Sequence, residues 1–444
     1  MSGIDLSHAH ALVASAPIVR SEGKVDKVVG LLVEVSGIKA ALGRELEVDA
    51  TGQGGGRARL TLEVIGFRDG KLLAAPLGPT SGIAPGARVR LRTSEASAEV
   101  GEALLGRVID AFGRPLDHRP MPRIGGRSPL HNPPPQPFAR RPIDTPLGTG
   151  VRAIDSLLAF GEGQRIGLFA GTGVGKSTLL GMLCRQADAD VIVAALIGER
   201  GREVGDFVRH AIGPEKMHRC VVVAATSDAP PLVRVRGALR ATAIAEHFRA
   251  QGKRVLLVMD SVTRFAMALR EASLAAGEPP LTKGYTPTVF AALPPLLERA
   301  GRDSGPGSIT AVYTVLVEGD DMNDPIADTV RGILDGHIVL TRKLADKNHH
   351  PAIDVLKSVS RVARDVSTKE HTLAAARLRE MLAAYEEAAD LLQIGAYVPG
   401  SNPNVDAYKT QEREIQSLLR QTPDEATPQN QTIARLRAIA EKSR

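Results

Sequence analysis

The sequence holds no tryptophan, and nine Phe and five Tyr leave aromatics at 3% of its 444 residues. The first aromatic is Phe67. A small β-domain built from the residues before it lacks the stacking platform on which single-strand nucleic-acid binders lay their bases. Cysteine is as scarce: Cys184 and Cys220 stand far apart, which predicts no disulfide framework and a reducing compartment. No apolar run approaches the length of a membrane span, and the first residues lack the basic-then-apolar pattern of a secretion signal. A cytoplasmic chain is expected. A large charge of one sign is missing too. A net charge of +6, with acids and bases interleaved, permits nucleic acid or anionic lipid as a partner without demanding either.

What is present is an ordinary globular composition, 43% hydrophobic and 24% charged, over a length that suits two or three domains. Residues 1–22 place Ile4, Leu6, Leu12, Val13, Ile18 and Val19 among His and Ser, a pattern open to a short amphipathic helix or a disordered terminus. Residues 23–95 carry the short β-rich runs Val28–Val35, Leu60–Ile65 and Leu72–Ala74, separated by turn signals such as Asp69-Gly70 and Pro85-Gly86, and read as a small β-barrel. Residues 96–141 read as a linker. It begins with Gly106–Asp117 and continues through the proline-rich Asn132–Pro137, whose missing donors favour an extended path over a surface.

Residues 142–365 alternate strand-like and helix-like segments, the signature of an α/β fold with a parallel sheet covered by helices. The candidate strands are Ile166–Phe169, Val191–Ile197, Cys220–Ala225, Val255–Met259, Ile309–Val317 and Ile338–Leu340, with helices over Leu232–Ala250 and Thr263–Ala276. Residues 366–444 show only helical periodicity, with Leu373, Leu378, Leu382, Tyr385, Leu391 and Leu392 on one expected face. A last amphipathic piece follows around Ile433, Leu436 and Ile439.

Chemistry concentrates first in Ala170-Gly171-Thr172-Gly173-Val174-Gly175-Lys176-Ser177-Thr178, between a predicted strand and a predicted helix. Three glycines let the backbone curl until successive N–H groups converge on an anion, and the helix N-terminus adds its partial positive charge. Lys176 is expected to reach the β- and γ-phosphates of ATP and Ser177 to ligate Mg²⁺. Gly171, Thr172, Gly173, Val174, Gly175 and Thr178 complete the nucleotide-binding loop. Ala170 stands where the strict pattern has Gly, so an ordinary strand-end conformation is expected there. The bland alternative is a Gly-rich turn.

A cradle alone binds; hydrolysis needs a metal-holding acid and a group that activates water. The run Val255–Met259 ends in Asp260, which puts a carboxylate at the C-terminal edge of a buried strand, beside the nucleotide and its Mg²⁺. The alternative is a helix cap. Glu199 follows another buried strand and is the candidate to orient the attacking water, with Glu203 the competitor. Arg200 and Arg264 are cations near these acids, open to a phosphate contact or to an ion pair.

Together with the cradle, Gly106–Asp117, Gly198-Glu199-Arg200, Asp260, Gly284-Tyr285-Thr286-Pro287, Glu298-Arg299 and Ser358-Val359-Ser360-Arg361-Val362 resemble, in order and spacing, one family. It is the hexameric ATPases that include the rotary ATP synthase α and β subunits, and the match spans residues 24–400. The resemblance implies a β-barrel crown, a RecA-like P-loop core and a helical C-terminal domain. It implies catalytic roles for Lys176 and Glu199 and an Arg361 that reaches a neighbour's γ-phosphate, so that a homohexamer carries a site at every interface. A local ion pair is the competing reading of Arg361. His350 stands where the family has a Tyr against the adenine; a smaller ring can still stack there. Its neighbour His349 makes a metal pair improbable in geometry, since adjacent residues seldom face one site.

Asp320–Asp328, Leu293–Gly301 and Gly395-Ala396-Tyr397 are similar to the type III export ATPases, favouring the flagellar over the injectisome branch. By that analogy residues 1–22 dock a regulator, the C-terminal domain faces a stalk and substrate–chaperone complexes, and the ring sits peripherally at the inner membrane, without nucleic acid. An RNA translocase of the Rho type and a non-catalytic nucleotide-binding subunit are the other readings. The first lacks early aromatics, and Glu199 argues against the second.

Overall fold

The computed structural model describes residues 22–443 apart from 53–55, 93, 94, 318 and 320. The expected regulator-docking segment lies, up to Ser21, outside the described residues. The chain forms two units, Met1–Ala96 with Ala272–Glu278, and Ser97–Glu271 with Pro279–Arg444.

In the first unit β1 (Glu22–Val29), β2 (Leu32–Ser36), β3 (Glu45–Thr51), β4 (Arg57–Arg68), β5 (Lys71–Pro76) and β6 (Arg88–Leu91) close a barrel in the order β1-β2-β5-β4-β3-β6. The apolar run Val28–Val35, expected as one piece, is a hairpin: Val29 pairs with Leu32, and Gly30 takes φ +56 between them. Only a residue without a Cβ turns there at no steric cost. In β3 and β6 charged residues alternate with Leu46, Val48, Val89 and Leu91. Val25, Val33, Val35, Leu46, Val48, Leu62, Val64, Leu72 and Val89 fill the interior. Closure leaves no free edge on which another chain could pair.

The second unit is built on β7 (Arg107–Asp110), β8 (Arg165–Ala170), β9 (Val191–Ile197), β10 (Cys220–Ala225), β11 (Arg254–Asp260), β12 (Ser308–Leu316), β13 (Gly336–Leu340) and β14 (Val359–Ser360). Their order across the sheet is β14-β13-β8-β12-β11-β9-β10-β7, with Gly301–Arg302 also paired to β12. All pairs from β13 to β7 are parallel, while β14 is antiparallel. Strands β9 and β10 are buried throughout, as a sheet covered on both faces demands.

One expectation is corrected. Arg107–Asp110, read as part of a linker, is a strand that extends the sheet beside β10, and Arg107 is gripped by Asp117 at 2.7 and 2.9 Å. That guanidinium holds the Asp117 carboxyl far below the usual carboxylate range. The proline-rich stretch is pinned rather than loose. Asn132 donates to Glu246 at 2.9 Å, and Arg299, 2% exposed, reaches the Leu130 carbonyl at 2.7 Å.

Helices Lys369–Glu387, Pro403–Leu419 and Gln429–Lys442 pack against the short helix Arg152–Leu157 and share its apolar core through Leu378, Met381, Ile415, Leu418, Leu436 and Ile439. The face expected along the first of these is partly wrong. Leu378 is buried, Leu382 and Tyr385 pack on the core, but Leu373 is exposed, as is Leu391 in the separate short helix Ala389–Gln393, and His371, Ala374, Met381 and Ala384 line the inward side. The apolar residues of this helix lie at spacings that fit more than one stripe, and docking on Arg152–Leu157 selects one.

Arg299 bonds Glu246 at 2.8 and 2.6 Å in the interior. Removing one partner of a buried pair leaves an uncompensated charge. Arg299→Ala should therefore destabilise the second unit by about 3–5 kcal/mol in urea unfolding; a loss below 1 kcal/mol would show the pair to be replaceable.

Candidate active site

Strand β8 ends at Ala170, which pairs with Leu316 on one side and Leu340 on the other. Its strand-end conformation is the one expected of an alanine there. Gly173 and Gly175 then take φ +79 and +92, turning the chain into the helix Lys176–Gln186. No side chain caps that helix, so its first N–H groups stay available to an anion.

Lys176 projects from this first turn to the C-terminal edge of the sheet. Its Nζ lies 2.5 Å from Asp260 Oδ1 and 3.5 Å from Glu199 Oε1. Parallel pairing produces this meeting: Leu196, near the end of β9, is in register with Asp260, and Met259 with Tyr313 of β12. Gly198, at φ +72, turns the chain after β9, and its missing Cβ leaves room for the Arg264 stem, whose Cβ lies 2.8 Å from the position it would occupy. The turn is held by Gly198 N–H to Ala225 at 2.7 Å and Ser227 N–H to Glu199 at 3.0 Å.

The three charges condition one another. Burial opposes the Lys176 ammonium, but the two carboxylates outweigh it and hold its pKa above the ordinary value. Burial pushes the Glu199 carboxyl up to about 7; Lys176 pulls it back, while Asp260 raises it further. Glu203 goes the other way, lowered by its hydrogen bond from the Glu199 carboxyl. Asp260 is 3% exposed and also accepts from Thr314 Oγ1 at 2.7 Å. Ser177, Thr178, Glu199, Glu203 and Asp260 line one cleft of about 290 Å³, with Asp424 at its rim. A serine hydroxyl and a carboxylate are the hard oxygen donors Mg²⁺ takes, so the residues present fit that ion.

The remaining expected residues are distributed. His350 flanks the cradle, its Nδ1 3.8 Å from where a Cβ of Gly175 would stand. His349 turns inward, is bonded by Arg420 at 3.4 Å and is pushed by burial down to about 4. The two rings share no site, and no group of three metal-ligating side chains occurs among the described residues. Arg200, expected at the nucleotide, does not join the cluster: its side chain is 78% exposed and pairs with Glu203 at 3.4 Å, because it precedes the helix Gly201–Asp206 and Glu203 lies one turn on. Arg361 lies far from its own cradle. Ser360 pairs with Gly336, the first residue of β13, so Arg361 stands at the N-terminal edge of the sheet, where its backbone N–H bonds Asp335. Two contacts escaped the sequence reading. Thr314 offered a signal, a hydroxyl inside a buried apolar strand that needs a partner. Arg342, which donates to the Thr172 carbonyl at 3.1 Å, offered none.

Comparison with known proteins accounts for this arrangement. The model of the ATP synthase alpha/beta family nucleotide-binding domain matches residues 150–360, that of the family's beta-barrel domain residues 25–92, and that of the T3SS EscN ATPase C-terminal domain residues 367–438. The flagellum-specific ATP synthase of Bacillus subtilis is 51% identical over 94% of this chain and 94% of its own length. The chain belongs to the ATP synthase alpha/beta family. Within it, the SPI-2 type 3 secretion system ATPase of Salmonella typhimurium is 52% identical over 85% of this chain and 87% of its own. The assembled ATPase EscN of enteropathogenic E. coli, solved with its central stalk EscO, superposes with a TM-score of 0.86 at 44% identity, covering 94% of this chain and 100% of that one. The fold is therefore the family's: a β-barrel, a RecA-like core with a parallel sheet, and a helical C-terminal region.

In this alpha/beta-family chain the Glu199 carboxyl should titrate near pH 7, protonated below and ionised above. Infrared difference spectra of the protein against Glu199→Gln check this. Because Asp260 raises that pKa, Asp260→Asn should move the midpoint down; an upward shift would mean that the two carboxyls do not interact through charge.

Proposed function

We propose that this ATPase hydrolyses ATP to ADP and phosphate at sites shared between neighbouring copies of itself in a homohexameric ring, and that the ring energises type III protein export in flagellar assembly. One observation carries the reading. Lys176, Glu199 and Asp260 converge at one edge of the sheet while Arg361 stands at the other, so its guanidinium serves a nucleotide only in an adjoining copy.

The free N–H groups of the cradle and the Lys176 ammonium hold the β- and γ-phosphates. Ser177 and Asp260 would hold Mg²⁺, which when bound neutralises charge building on the phosphate oxygens. A Glu199 carboxylate oxygen accepts a hydrogen bond from the attacking water and orients it in line with the γ-phosphorus. Glu203 stands beside it as a second acceptor for the proton. Arg361 of an adjoining copy stabilises the transition-state charge, an effect worth several powers of ten in related fingers. His350 flanks the base, with less stacking area than a tyrosine.

The flagellar system is favoured because the flagellum-specific relative joins 51% identity to 94% coverage of the chain, whereas the SPI-2 secretion ATPase matches that identity over only 85% and the secretion ATPase of Xanthomonas euvesicatoria, covering 97%, is 46% identical. The injectisome remains the second reading, given that the C-terminal region fits the EscN model. A central stalk protein is the partner suggested by EscN with EscO. Leu391, Ile394 and Val398, exposed at one end of the helical region, suit a protein contact. Substrate–chaperone complexes, a regulator on residues 1–22, and peripheral attachment at the inner membrane complete the proposal. No described helix is long and apolar enough to cross a membrane.

Glu199→Gln should lower kcat by about 10²–10⁴-fold with ATP still bound, as the cradle is intact; unchanged turnover reassigns the base. Arg361→Ala should be as inactive alone, yet regain activity when mixed with Lys176→Ala, since mixed rings contain interfaces with an intact cradle and an intact arginine. A mixture no faster than its parts would sink the shared site. Strong stimulation by single-stranded RNA would favour a translocase instead.

A further inference from the structure

A second cavity, of about 280 Å³, lies outside the nucleotide cleft, between the Ser358–Ser360 segment and the first turns of the helix Lys369–Glu387. Its polar lining includes Arg364, Arg379, His371, Ser358, Ser367 and Thr372, and no carboxylate is among its lining residues. Arg379 reaches only backbone carbonyls: Val355 at 2.7 Å, Leu157 at 3.1 Å and Ser358 at 3.3 Å. Three of its five N–H groups are thereby used, and its charge is matched by no acid. Burial holds its pKa below the ordinary arginine value, the sign of a cation without a counter-ion. Arg364 has neither a hydrogen bond nor an ion pair among the described residues. The helix Lys369–Glu387 begins at the same cavity, capped by Thr368, and adds the positive end of its dipole.

Two arginines without acids, hydroxyl groups and a helix start around one small cavity form a complementary setting for a compact dianion. We propose that this cavity binds inorganic phosphate or a small phosphate monoester, separately from the nucleotide cleft. Arg364 supplies the free clamp, Arg379 the fixed positive charge, and Ser367 donates its hydroxyl hydrogen, the Thr372 hydroxyl being already bonded to the Thr368 carbonyl at 3.0 Å. The Ser358–Ser360 wall runs directly into Arg361, so occupancy bears on where that guanidinium stands.

The test is calorimetric titration of inorganic phosphate into the full chain, with the nucleotide cleft filled by ADP and again in Lys176→Ala. One saturable site per chain is expected in both. Arg364→Ala should weaken it about tenfold or more, the scale of a lost charge-assisted bond, and Arg364→Lys by less. Ser367→Ala, which keeps both arginines, should weaken it mildly. Glycerol 3-phosphate and sulfate as further probes separate the sources: tighter binding of the monoester supports a phosphorylated metabolite, and equal binding of sulfate a bare oxyanion. No saturable heat, or phosphate binding indifferent to Arg364→Ala, overturns the proposal. If Arg364→Ala spares phosphate binding but stops copies associating, the arginine seats a carboxylate of an adjoining copy, and the proposal falls equally. None of these readouts depends on ATP turnover, so they stand apart from the proposed function.

Discussion

A half-buried lysine held between a half-buried and a fully buried carboxylate is the constraint on which the nucleotide cleft rests. An ammonium removed from water is tolerated only when charge of the other sign meets it at short range, and Lys176 has Asp260 and Glu199 at 2.5 and 3.5 Å. The two acids come from different strands. They meet because parallel pairing brings the C-terminal ends of β8, β9 and β11 to one edge, each strand delivering the residue that follows its apolar run. The cluster leaves Glu199 near the middle of its titration at neutral pH, while Asp260 is tied down by Thr314 as well as by the lysine.

The same strand that presents the cradle also reaches the far edge. Arg165, where β8 begins, bonds both oxygens of Asp335 at 2.9 Å, and the Asp335 carbonyl accepts from the Arg361 backbone. The phosphate-facing end of β8 and the support of Arg361 stand at opposite ends of one six-residue strand. In the ring proposed above, one buried strand would link the site each subunit carries with the Arg361 it offers to its neighbour.

The helical region is fastened to that bridge from a third direction. Arg152 bonds the Leu418 and Arg420 carbonyls, Glu425 and Thr427, and Gln421 accepts from the Arg152 backbone at 2.8 Å while its own N–H donates to the His350 carbonyl at 2.8 Å. Arg185, in the last turn of the cradle helix, donates to Pro423. The segment between the last two long helices therefore lies against the cleft, where Pro423 and Asp424 join its lining.

Much of this was written in the chain. The cradle, the strands that end in Asp260 and precede Glu199, and the parallel architecture follow from local patterns, because glycine conformations, helix starts and fully apolar strands are decided within a few residues. What those patterns left open needed the folded molecule. That Arg107–Asp110 joins the sheet depended on a neighbour, β10, more than a hundred residues away, since a four-residue strand has little propensity of its own. That Leu378 is inside and Leu373 outside depended on which face met Arg152–Leu157. That Arg200 turns to Glu203, and that Arg361 stands across the sheet from its own cradle, depended on direction in space. Sequence order carries residue type and local backbone preference, whereas the edge on which a charge emerges is set by strand register and packing, which only the tertiary structure supplies.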